Sequence, residues 1–128
     1  MQQPARLLIA TLLPTLLGVA AASASANDGA AAWQAVQQAD VRASVAQQTL
    51  SDRYTAIWSS LDASQKALFS ARERAWLNQG RQQEQLACVA RNGAGGARTE
   101  LVAKTCEADV IEHHLGTLAT PQRVASSN

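Results

Sequence analysis

From Trp33 to Gln79 the chain runs without proline or glycine. An interval that long without breakers favours helix. Within it Leu50, Tyr54, Ile57 and Leu61 recur at i, i+4, i+7 and i+11, the spacing of one helix face. Val36, Ala39, Ala43 and Ala46 carry a weaker stripe upstream. A first helix is expected from about Ala31 to Ser59, with Thr49–Ser51 the place where it would break. Asp62 and Gln65 then have capping-box spacing, so a second helix is expected to start near Ala63. Leu68, Ala71 and Ala75 line one face of it, with Phe69 and Trp76 beside them and Leu86 and Ala90 extending that side. Leu77, Arg81, Glu84 and Cys88 define another. Two such faces make this helix the expected middle layer.

Gly80 interrupts the second helix at a cost of up to ~1 kcal/mol relative to alanine. It reads as a close contact with a neighbouring helix or a mild kink. Asn92-Gly-Ala-Gly-Gly96 ends the helix, with glycine as a left-handed cap and tight turn. No strand precedes this loop and no Gly-Lys-Ser/Thr follows it, so it does not read as a phosphate loop. Val102, Cys106, Val110, Ile111, Leu115 and Leu118 give a third helix, about Arg98 to Leu118, closed by Gly116 and Pro121. Residues 120–128 read as a loose tail. The expected fold is all-α, a three-helix antiparallel bundle.

A length of 128 residues allows one domain. Residues 7–22 are apolar, follow Arg6 and lead to Ala24-Ser25-Ala26, the pattern of a cleavable signal peptide over residues 1–26. The run is short for a membrane span and holds Pro14. The mature domain is therefore expected to be 27–128, ordered over about 31–119, and periplasmic or secreted. The 11 Lys and Arg face 10 Asp and Glu; with Arg6 removed the mature chain is formally neutral. That argues against nucleic acid and against a polybasic membrane surface as partners. Export places Cys88 and Cys106 in an oxidising compartment, where a pair favours a disulfide between the second and third helices. The register of the two cysteines requires the third helix to start late or to slide along the second.

Chemistry-bearing motifs are sparse, and the chain reads as a binding protein rather than an enzyme, without cofactor. His113 and His114 are adjacent, so they point about 100° apart on a helix and do not readily share a metal. They read as a surface pair, with Asp109 or Glu112 as neighbours, and no metal is assigned. Glu73, Arg74, Arg81 and Glu84 read as a solvated helix face. Trp76 is expected in the core and Trp58 half buried. Trp33 reads first as a packing residue and second as an exposed anchor for a protein partner.

Leu50-x-x-x-Tyr54-x-x-Ile57, then Ala71-Arg-Glu-Arg-Ala-Trp76-Leu77, a cysteine, a Gly-Gly and a second cysteine together resemble the LprI-type lysozyme inhibitor family, small exported helical bacterial domains. The likeness covers about Thr49 to Leu118. It departs from the family pattern in the twelve residues between Trp76 and Cys88, about one helical turn more than usual. It departs also in Arg81-Gln82 where the family has Arg-Asp, in Ile111 and His114 where it has Thr and Arg, and in lacking a further N-terminal cysteine. The resemblance implies lysozyme as a protein partner; the sparse chemistry, Trp33 and the Ala/Gln-rich first helix point instead to a structural or adaptor role with another envelope protein. Against a cationic lysozyme the expected contacts are Glu107, Asp109 and Glu112, an acidic edge on the third helix.

Overall fold

A computed structural model describes residues 18–93 and 95–118, with side chains from residue 27. Residues 1–17 of the expected signal peptide and the tail 120–128 lie outside the described residues. The described residues divide into two units between Ala31 and Ala32. The core lies in the second. Every described element is helical: α1 (Gly18–Ser60), α2 (Ala63–Ala75), a π-helical turn (Trp76–Gly80), α3 (Arg81–Asn92), a 3-10 turn (Gly96–Arg98) and α4 (Thr99–Leu118). Because α2, the π turn and α3 follow without interruption, the chain builds three rods. Among the described residues no helix is long and apolar enough to cross a membrane.

Local signals set the ends of these rods. Asp62 accepts from the Gln65 backbone N–H at 2.8 Å, and its own N–H donates to the Gln65 side chain at 3.0 Å. Both halves of the capping box are thus made, satisfying donors that a helix start would otherwise leave bare. Gly93 closes α3 in the left-handed region at φ 65°, where a side chain would clash. α1 differs from expectation at its start: it begins at Gly18 rather than near Ala31, and it is unbroken at Thr49–Ser51. The Thr49 and Thr55 hydroxyls donate back to the carbonyls of Val45 and Ser51, so these polar residues are accommodated within the helix.

The middle of the structure is α4, not the second rod. Val102, Cys106, Ala108, Val110, Ile111, His114 and Leu118 of α4 are all buried. Ala46, Leu50 and Ile57 of α1 share one apolar cluster with Trp76 and with Val110, Ile111 and Leu118. Cys88, Val102 and Cys106 form a second cluster. The disulfide between Cys88 and Cys106 is formed, with Cα atoms 5.7 Å apart. α4 begins at Thr99, after the 3-10 turn, within a residue of the expected start.

Both stripes expected on the second rod are displaced. Leu68, Ala71 and Ala75, ahead of the π turn, face outward because the inner face runs through Glu73. Beyond Trp76 the π turn shifts the phase. On an uninterrupted α-helix Trp76 and Cys88 would sit roughly 120° apart. A π turn absorbs one extra residue, which leaves them only about 20° apart. Both are buried. Phe69, Glu73 and Trp76 form the inner face of the first half at i, i+4 and i+7. Leu68 and Leu86, expected on the core side, are 72% and 62% exposed.

Gly80 belongs to this turn. A Cβ at that position would lie 2.9 Å from Cδ1 of Trp76. Gly80→Ala is therefore expected to displace the indole and lower stability by about 1–2 kcal/mol, despite alanine's better helix propensity. Thermal denaturation measures the loss, and near-ultraviolet circular dichroism reports the displaced tryptophan.

Candidate functional site

The three rods meet around one buried polar cluster. Glu73 of α2 and His114 of α4 are 5% and 8% exposed. The imidazole Nε2 lies 2.6 Å from Glu73 Oε2. Tyr54 of α1 donates its hydroxyl to the same oxygen at 2.7 Å and sits 3.4 Å from the imidazole nitrogen. Arg72 Nε donates to the other carboxylate oxygen at 3.0 Å. One side chain from each rod thus converges on a single carboxylate.

Burial alone would raise the Glu73 carboxyl, but hydrogen bonds from Tyr54, His114 and Arg72 outweigh it and hold the group below the usual carboxylate range. An ionised carboxylate only accepts, so the proton of the shared bond sits on His114 Nε2. Burial first, and then the bond to Glu73, push the Tyr54 hydroxyl well above the usual phenol range. Trp76 stacks on His114 with ring centres 3.6 Å apart and planes 4° from parallel. The indole N–H reaches Glu84 at 3.3 Å. Phe69 meets Tyr54 edge-on at 5.8 Å. Among the described residues no buried side-chain polar atom lacks a partner.

These contacts correct two readings of the sequence. Glu73 is not part of a solvated face. Only His113 of the histidine pair is at the surface, 3.9 Å from Glu84, while His114 is in the core. Among the described residues no group of three or more His, Cys, Asp or Glu is placed to hold a metal ion.

Beside the cluster, α1 and α2 flank an open groove of about 460 Å³ whose apolar lining comes from Tyr54, Trp58, Phe69 and Leu77. Glu73 reaches its floor, and Ser70, Arg74 and Asn78 line it from the second rod. Trp58 is 44% exposed, with the Lys66 ammonium 5.4 Å above its ring.

The partner-contact candidates lie elsewhere. Trp33 is 58% exposed rather than packed. Asp109 and Glu112 both pair with Arg42 of α1. Glu107 pairs with Arg81 at 3.5 Å and Lys104 at 3.6 Å, and Lys104 also reaches Asp40 at 2.7 Å. The three acidic residues therefore tie α4 to its neighbours. No family model matches the chain, and neither does any curated protein or solved structure.

Proposed function

We propose that the chain is an exported, non-enzymatic binding protein whose partner is another protein, with lysozyme the first class to test. The observation that carries this reading is the closure of the Tyr54–Glu73–His114 cluster. The side chains best suited to acid–base chemistry are committed to one another and to Arg72, while aromatic surface is left on the outside at Trp33 and Trp58. The disulfide is compatible with an oxidising compartment. The Trp76–Cys88–Gly95-Gly96–Cys106 pattern supports the lysozyme-inhibitor assignment through its family resemblance. A lysis assay on cell walls, with purified protein in oxidised and reduced form, tests it. Micromolar oxidised protein is expected to slow lysis, and an unchanged rate removes lysozyme as the partner.

The ion pairs favour a second reading, an adaptor for another envelope protein. Glu107, Asp109 and Glu112 are engaged in ion pairs within the fold, Arg42 being shared by the last two, which leaves less free acidic charge there for a cationic enzyme. Affinity capture from envelope extract distinguishes the two: a specific partner other than lysozyme supports the adaptor.

A further inference from the structure

We propose that the groove between α1 and α2 is a docking site for an amphipathic peptide segment of a partner that carries carboxylates beside its apolar side chains. This rests on the binding-protein reading and names the partner's chemistry. One wall supplies donors at four-residue intervals: Ser70, Arg74 and Asn78 line the groove, and Lys66, four residues earlier, holds its ammonium over Trp58. On a helix that spacing makes a ridge about 18 Å long that winds by about 40° round the axis at each step. The floor is apolar and aromatic, from Tyr54, Trp58, Phe69 and Leu77.

Charge decides the partner's sign. Among the described residues neither Lys66 nor Arg74 is in an ion pair; Arg74 reaches only the Ser70 hydroxyl, at 3.2 Å. The one carboxylate at the groove, Glu73, is already compensated by Arg72, His114 and Tyr54. The groove therefore offers uncompensated positive charge along one edge of an apolar trough. A cationic segment would meet that edge unfavourably, whereas an acidic one gains charge-assisted hydrogen bonds. An open trough three helical turns long suits a helix laid into it, with apolar residues down and acidic residues toward the ridge.

The test is a calorimetric titration of the purified, oxidised protein with three synthetic helical peptides: Leu/Glu amphipathic, Leu/Lys amphipathic, and Glu-rich without apolar residues. The Leu/Glu peptide is expected to bind, with affinity falling as salt rises, and the other two to bind at least about tenfold more weakly. Lys66→Glu/Arg74→Glu is expected to cost the Leu/Glu peptide about tenfold or more, with helical content unchanged because Arg74 is exposed and Lys66 only half-buried, outside the core. Trp58→Ala, which removes aromatic floor and the ring beneath the Lys66 ammonium but no charge, is expected to weaken the same peptide. Equal binding of the Leu/Lys peptide overturns the proposal. So does absence of binding by the Leu/Glu peptide, or an affinity indifferent to the double substitution. Binding of anionic phospholipid vesicles in place of the peptide also overturns it. The lysis assay and the envelope capture report on the parent reading without involving these peptides, so the two fail separately.

Discussion

Glu73→Leu is expected to destabilise the protein by about 3–5 kcal/mol, the range for removing one member of a buried charged pair. The substitution leaves Tyr54 and His114 in the core without their shared acceptor, and it frees Arg72 as well. For a domain near 100 residues this lowers the melting temperature by more than about 10 °C. Glu73→Gln keeps the shape and one acceptor, so its cost is lower, about 1.5–3 kcal/mol for lost charge-assisted bonds. Glu73→Leu/His114→Leu is expected to recover part of the loss, because the orphaned partner goes too. If the double variant is as unstable as the sum of the singles, the two groups do not act as a pair.

The same carboxylate sets a pH dependence. Its pKa is lower in the fold than in the unfolded chain, so the unfolded state binds the proton more tightly. Stability from Glu73 is fully present above the ordinary carboxylate value of about 4.3 and is lost as pH falls through the lower folded value. Acid unfolding of the parent is therefore expected to be steeper than that of Glu73→Gln, with the two curves converging at low pH. Melting temperatures measured from neutral to strongly acidic pH check this.

Cys88→Ala/Cys106→Ala is expected to cost about 3 kcal/mol, since the bond spans 18 residues and a loop of that size loses roughly this much closure entropy. The bond fastens α3 to α4 at the end remote from the Glu73 cluster. Its loss should show first as faster amide exchange around Val89 and Val102, which pack on it. The cysteines are 5% and 1% exposed, so reduction of the native protein is expected to be slow and to accelerate sharply in denaturant. Urea titration of the reduced and oxidised forms measures the difference. Equal midpoints would show that the bond contributes nothing.

What could be read from the sequence was whatever depends on neighbours along the chain. The Asp62/Gln65 box, the glycine stop after Asn92, the Leu50/Ile57 stripe and the cysteine pairing each need only local geometry or an even count of thiols. What escaped depends on phase and on contacts far apart in sequence. The π turn rotates everything after Trp76, so a stripe counted at constant helical period puts Leu86 inside when it is outside. The Glu73–His114 bond joins residues 41 apart, and an acid between two arginines looks like a solvated face until the third rod is in place. One signal was present: Phe69, Glu73 and Trp76 fall on a single face, where the acid stands between two aromatics. The central position of α4 escaped for a related reason, because its ion-pairing residues mask a helix with most of its circumference covered.

The wide turn at Trp76–Gly80 also bears on how this chain tolerates changes in length. Up to that point the second rod is aimed at the imidazole, and beyond it at the sulfur bridge. The extra residue keeps both aims true along one axis. Losing a single codon there would give a more regular spiral whose far half points the wrong way, so tidier local geometry would come at the expense of the clasp.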